Sequence, residues 1–330
     1  MVLGMKQWRW ARGLGAAGLA LAVLGLAAAC ASARDAARTP RAESVAPGVY
    51  VVRGLPGDVD TVNLGRVGNA GFIVGEQGVI AIDTGTSYRH GQALLQAIAQ
   101  VTDRPVRLAI VTHPRQEFLF GAAAFRERGI ALHMHRDAAR LMASRCETCL
   151  KNLQRQLGED EMRGTIMWQP DVAFDGSPRI DAIGRPVQLL YFGHSSGPGD
   201  VAVLDERSGV LFAGGLLDAR RIPDVLDGDL AGWRRALDAL RARAPSAIVP
   251  GHGPVTTVAA IDAEQRYLVR LEWRLTQLLE RGVALSEVAD AAALPEFDRW
   301  DQYDTIHRRN ASIIYVRLER DLLFREENRR

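Results

Sequence analysis

An α/β fold in one large domain is predicted by three features of the chain from Gly48 onward. Short β-branched and aromatic runs alternate with helical apolar stripes. Pairs of runs are joined by short Gly-bounded turns. The second half also repeats the order of the first: strands, hairpin, strand, helix. That order fits a sandwich of two mixed sheets with helices outside, because each sheet must bury its apolar faces against something.

The elements follow in chain order. Val49 to Val52 is a first strand. Asn69 to Val74 and Val79 to Asp83 form a hairpin across Gly75-Glu76-Gln77-Gly78. A helix from about Tyr88 to Val101 carries Leu94, Leu95 and Ile98 on one face, and Val106 to Val111 is a continuous apolar strand of the kind buried on both faces. Val187 to Phe192 opens the second half. Asp200 to Asp205 and Val210 to Ala213 pair across Glu206-Arg207-Ser208-Gly209. Asp229 is placed to cap a helix bearing Leu230, Trp233, Leu237 and Leu240. Ala247 to Val249 ends in Pro250-Gly251-His252-Gly253. A later helix repeats the stripe at Leu268, Leu271, Leu275 and Leu278.

Composition bounds the function. With 47% hydrophobic and 24% charged residues, the 330-residue chain can build one large core or two small ones. A net charge of +2 with no evident basic face excludes a charge-driven nucleic-acid binder.

Residues 1–33 read as a secretory signal. Lys6, Arg9 and Arg12 precede an apolar run from Leu14 to Ala29, and Ala31-Ser32-Ala33 offers a small-x-small cleavage site. The run is about 16 residues, short of the ~20 a spanning helix needs. Export to the periplasm is expected, with membrane contact only through the signal or through a lipid on Cys30, which follows Leu26-Ala27-Ala28-Ala29; lipidation and plain cleavage both stay open. Residues 34–46, rich in Ala, Arg and Pro, read as a flexible linker, leaving 47–330 as the folded domain.

After cleavage at Ala33 two cysteines remain, Cys146 and Cys149, as Cys-x-x-Cys. In an oxidising compartment they are expected to form a disulfide. A zinc site would need two more soft ligands and no second such pair exists, so a structural bond is favoured over a working redox centre.

The polar residues of interest follow predicted strands, where α/β folds place their sites. They are Asp83-Thr84-Gly85, Thr112-His113 leading to Glu117, Gly193-His194 with Gly199-Asp200, and Gly251-His252-Gly253. In this order the four signatures resemble the metallo-β-lactamase superfamily, over nearly the whole chain after Gly48. The segment Leu119 to Phe125, the Cys-x-x-Cys, and Arg221-Ile222-Pro223-Asp224 resemble more narrowly its members associated with periplasmic quinoprotein (PQQ) dehydrogenase relay systems. The resemblance implies a four-layer αββα sandwich of two mixed sheets and hydrolysis of an ester, thioester or amide in a small-molecule substrate.

The superfamily's Thr-His-x-His-x-Asp-His motif is altered here. His113 matches its first histidine. Arg115, Glu117 and Phe118 stand where the second histidine, the aspartate and the last histidine are expected. His194 and His252 match two further ligands, and Gly215 falls at the bridging aspartate. Phe118 and Gly215 cannot coordinate, and Arg115 stays protonated and repels a cation. A two-zinc centre is therefore not expected. His113, His194, His252 and Glu117 suit one zinc ion if they converge, with Glu117 as ligand or general base, Asp83 supporting the site and Arg115 anchoring a carboxylate or oxyanion. If they do not converge, no metal is expected. Arg115, paired with Glu117, then becomes the resident cation of a non-catalytic binding or accessory protein. His133 and His135 share one strand face but lie where the superfamily has no ligands, and read as structural. His90 and His307 sit on predicted helices and read as exposed or locally bonded.

Overall fold

The computed structural model describes residues 39–327. The segment read as an export signal, with Cys30, lies outside the described residues. Among the described residues no helix is long and apolar enough to cross a membrane.

Seven strands form the first sheet in sequential order: β1 (Ala42–Ala46), β2 (Val49–Val52), β3 (Ala70–Val74), β4 (Val79–Ile82), β5 (Val106–Val111), β6 (Ala131–His135) and β7 (Val172–Phe174). Pairing is antiparallel from β1 to β4 and parallel from β4 to β7. The second sheet has five strands, ordered β12 (Ala247–Pro250), β11 (Val210–Gly214), β10 (Val201–Asp205), β9 (Val187–Tyr191) and β8 (Arg179–Ile180). Only its β11–β12 pair is parallel. Both sheets are mixed, as expected.

The two-residue period of a strand explains the layering. Val49, Val51, Ile80, Ile82, Leu108 and Ile110 face the other sheet, where they meet Leu189, Val203, Phe212 and Val249. Their neighbours Val52, Val79, Ala81, Ala109 and Val111 point the opposite way, into helices α1 (Tyr88–Ala99), α3 (Ala122–Arg126) and α4 (Arg136–Met162). The second sheet turns Leu190, Ala202, Leu211 and Ile248 towards α5 (Leu230–Ala242), α6 (Val258–Glu280), α7 (Leu285–Ala291) and α8 (Arg308–Glu327). The result is a four-layer αββα sandwich. It accounts for strands that read as unbroken apolar runs, since both faces are buried.

The helix stripes are as expected. The Asp229 carboxylate accepts from the Gly232 amide at the N-terminus of α5, and Trp233, Leu237 and Leu240 are buried. Leu268, Leu271, Leu275 and Leu278 form the inner face of α6. One boundary differs. Part of the expected linker is strand β1, which pairs antiparallel with β2 and is tied by the Arg53–Glu43 ion pair, so order begins before residue 47. His90 and His307 are buried rather than exposed. The His90 Nδ1 accepts from the Thr86 amide, and the His307 ring sits between the Tyr267 hydroxyl and the Ala292 carbonyl. His135 is also structural, with its ring stacked on Tyr191 and its Nδ1 accepting from the Asp137 amide at the start of α4.

Candidate functional site

The loops that follow β4, β5, β9, β11 and β12 meet along one rim of the sandwich. β5 delivers Thr112 and His113, and its continuation turns into α2 (Gln116–Leu119), with Arg115 at its N-terminal boundary. The loop after β12 carries His252. Asn69 clamps it by donating to the carbonyls of Pro250 and Gly253 at 2.8 and 2.9 Å.

His252 is held from both sides. Its Nδ1 lies 2.8 Å from Asp218 Oδ1 and its Nε2 lies 3.2 Å from Glu117 Oε1. Two carboxylate acceptors require two N–H donors, so the ring is an imidazolium. Burial alone would lower its pKa, but Asp218 and Glu117 together raise it. Burial likewise pushes the Glu117 carboxyl up; the hydrogen bond and charge of His252, with the charge of Arg115, outweigh this and hold it at about 2. Behind Asp218, a carboxyl oxygen of Glu264 accepts from the Asp218 amide at 2.7 Å, and burial pushes its pKa well up, towards the neutral acid.

Arg115 does not pair with Glu117 as the sequence suggested. One guanidinium nitrogen donates to the Asp224 carbonyl at 2.8 Å and another lies 3.3 Å from the Asp224 carboxylate, which also receives Arg309 from α8. Two extra acceptors in one residue outcompete a neighbour already committed to His252. Arg115, Glu117, Asp218 and His252 line a cavity of about 420 Å³.

His113 is buried beside the Phe118 ring, at 4.3 Å between centroids, and is not part of that cavity wall. Its Nδ1 lies 2.7 Å from Thr112 Oγ1, and its Nε2 is buried without a partner. Burial, then the charge of Arg115, lowers its pKa to about 3, so the ring is neutral. Asp83 accepts from the Thr112 amide and hydroxyl at 2.8 and 3.0 Å, and burial raises its carboxyl to about 8 despite those bonds. It therefore orients the Thr112-His113 turn and is not placed to act on a ligand in the cavity. His194 is exposed and turned away, with its Nε2 donating to the Asp227 carbonyl at 2.6 Å.

The four expected ligands therefore do not converge, and these residues do not fit a zinc ion. Glu117 and His252 spend their facing atoms on each other, and His194 is bonded to Asp227. The Phe118 ring packs against both His113 and His252, at 4.3 and 5.2 Å between centroids, where the superfamily motif would put a ligand. His113 Nε2 is buried without a partner. Among the described residues no group of three or more His, Cys, Asp or Glu side chains is arranged to hold a metal. The altered positions are also filled space. A Cβ at Gly215 would lie 2.8 Å from both Asp200 Oδ2 and His113 Cδ2, and a Cβ at Gly68 would lie 2.5 Å from the Phe118 ring.

The expected Cys146–Cys149 disulfide is not formed. Both are free thiols one turn apart on α4, Cys146 buried and facing the Pro114 carbonyl, Cys149 half-buried and facing the Arg145 carbonyl. The continuous helix keeps them neighbours without a covalent bond.

Two residues of the site escaped the sequence reading, Asp218 and Glu264. Asp218 follows β11 by four residues and belongs to the same strand-end class as the others. Glu264 sits on the buried stripe side of α6, where a carboxylate among leucines is itself a signal.

The chain belongs to the metallo-beta-lactamase superfamily, whose profile matches residues 64–252. Over 89 residues it is 33% identical to the metallo-beta-lactamase type 2 of Bacteroides fragilis, a match covering 26% of this chain and 36% of that protein. The chain thus spans about a third of that relative's length. A metallo-beta-lactamase from Pontibacter korlensis superposes with a TM-score of 0.59 at 20% identity, covering 70% of this chain and 99% of that one. A double mutant of the sec-alkyl sulfatase PisA1 superposes with a TM-score of 0.66 at 19% identity, covering 84% and 50%. At these identities the structural likeness is one of fold.

Proposed function

We propose that this chain is a non-catalytic binding or accessory member of its hydrolase superfamily, with Arg115 supplying the positive charge that a metal would otherwise provide. One observation carries this reading. The Phe118 ring packs against both His113 and His252 while Glu117 is committed to His252, so one ligand position is taken by a phenyl ring and another is spent on a hydrogen bond. Arg115 lines the cavity and gives only part of its fork to Asp224, which leaves N–H donors for a small organic anion.

The reading of a single-zinc hydrolase would need Glu117 to release His252 and His194 to leave the Asp227 carbonyl. The same proposal puts the protein in the periplasm, on the strength of residues 1–33. It makes the protein an accessory of a quinoprotein dehydrogenase system, on the strength of the segments from Leu119 to Phe125 and Arg221 to Asp224.

The test pairs elemental analysis with calorimetry on the chain purified without chelators. Benzoate and succinate serve as probe anions. The expected result is no stoichiometric zinc even after zinc is offered, and saturable carboxylate binding weakened at least about tenfold by Arg115→Ala, the loss of one charge-assisted contact. About one zinc per chain, lost in His113→Ala, would restore the hydrolase. Carboxylate binding indifferent to Arg115→Ala would remove Arg115 as the anchor.

A further inference from the structure

The same cavity carries chemistry that anion binding does not use. Cys146 and Cys149 line it from α4. The Cys146 sulfur lies 3.9 Å from the Pro114 carbonyl, next to Arg115, and is buried at 1% exposure. The Cys149 sulfur lies 3.7 Å from the Arg145 carbonyl and is half-buried. We infer that the pair is a working dithiol, in which Cys149 attacks a low-molecular-weight disulfide entering the cavity and Cys146 resolves the product.

The geometry supports each part. Residues three apart on an α-helix have Cα atoms roughly 5 Å apart, from the 1.5 Å rise and the 2.3 Å radius. That lies inside the Cα range a disulfide bridges, and closing the bond needs the Cβ atoms, about 5–6 Å apart at this spacing, to draw together by an ångström or so within the one turn. Accessibility divides the roles, because only Cys149 presents its sulfur to an incoming molecule. Acidity divides them in the same sense. The neighbouring Cys146 thiol, able to donate to a Cys149 thiolate, lowers the Cys149 thiol to about 7 against the opposing effect of burial. The Cys149 neighbour, with burial, pushes Cys146 up. The charged groups facing the pair are Arg145 on the same helix, Glu117 on α2 and Asp227 on the loop before α5; the first favours the thiolate and the carboxylates oppose it. A small disulfide fits a cavity of about 420 Å³ lined by both cysteines.

The step balances. The Cys149 thiolate attacks one sulfur of R–S–S–R and expels RS⁻, which takes up a proton. Cys146, giving its proton to solvent, attacks the Cys149 sulfur of the mixed disulfide and expels the second thiolate. The protein dithiol loses two electrons to form Cys146–Cys149, and the small disulfide gains them as two thiols.

The test uses the full chain with Cys30→Ser, so that only these two thiols remain, and 5,5′-dithiobis(2-nitrobenzoate) as the probe disulfide. Two thionitrobenzoates are expected per chain, the second released by an intramolecular step whose rate does not depend on probe concentration. Mass spectrometry should then show no adduct. Cys146→Ser should release one and keep a stable adduct on Cys149, and Cys149→Ser should react at least about tenfold more slowly. The rate of the first step should rise through pH 7. Adducts retained on both cysteines of the unaltered pair, or a Cys149 no faster than in the urea-unfolded chain, would overturn the inference. Neither outcome bears on Arg115, so this inference and the binding proposal fail separately.

Discussion

Replacing Glu117 with glutamine isolates the charge that holds His252 in place. The glutamine side chain is nearly isosteric and would still accept the His252 Nε2–H, so the change removes a charge rather than a contact. The wild-type carboxyl moves from an ordinary value of 4.5 to about 2 on folding. A depressed carboxylate contributes stability that is present above its unfolded value and is lost as pH falls through its folded value. At neutral pH the shift corresponds to roughly 3 kcal/mol, at about 1.4 kcal/mol per tenfold in proton affinity. At pH 3.5 the same linkage leaves roughly 2 kcal/mol, because the unfolded carboxyl is by then mostly protonated while the folded one is not. The side chain is only 12% exposed, so solvent screening removes little of this. Urea unfolding of wild type and Glu117→Gln should therefore show a gap of about 2–3 kcal/mol at pH 7 that narrows by about a third at pH 3.5. A gap below about 1 kcal/mol at pH 7, or one that does not change with pH, would refute the imidazolium–carboxylate assignment.

Two further outcomes follow from the packing. Arg185 and Asp205 form a buried bidentate pair at 2.7 and 2.6 Å, so Arg185→Ala should cost about 3–5 kcal/mol in chemical denaturation by leaving Asp205 charged and unpaired; a loss under about 1 kcal/mol would show the pair to be solvated. Gly215→Asp, which rewrites the sequence toward the superfamily's bridging ligand, should lower the melting temperature through about 1–3 kcal/mol of overpacking against Asp200 and His113 and should recruit no zinc. A variant that binds zinc without loss of stability would mean that the site can still open.

The sandwich was legible because every buried strand carries apolar residues on both faces, and because Asp229 and the leucine stripe of α6 obey local rules. The rim residues were legible as strand ends. Their partners were not, because pairing on the rim depends on which loop reaches farthest, and no spacing in the sequence records that. Arg115 and Glu117 are two apart and of opposite charge, yet each bonds a residue about a hundred or more positions away, Asp224 and His252. The same limit applies to Cys146 and Cys149: the Cys-x-x-Cys spacing permits a disulfide, but whether one forms depends on redox conditions and on the sulfurs' neighbours. β1 escaped because its Ala-Glu-Ser-Val-Ala run is polar and short, as an edge strand can be.

The substituted positions are interdependent, and this argues for a rebuilt site over a merely damaged one. Phe118 is accommodated because Gly68 has no Cβ beneath its ring. Gly215 leaves room for the close approach of Asp200 and His113. With Arg115 near, His113 remains neutral, and the Glu117 carboxylate that no longer faces a metal instead neutralises His252. A site losing its ligands at random would leave buried, unpaired charge, which costs several kcal/mol. Here the Arg115 cation is paired with Asp224 and the His252 imidazolium with Asp218 and Glu117, while the Asp200 carboxyl is held by the Ser196 hydroxyl. Three buried atoms of these ionisable side chains have no hydrogen-bond partner: His113 Nε2, on a neutral ring, and Asp200 Oδ1 and Glu264 Oε1, on carboxyls that burial pushes towards the neutral form, which keeps the cost below that of a bare charge. Charge balance without a metal is thus a property of the present residues taken together, and restoring one ligand alone would disturb it before it rebuilt a metal site.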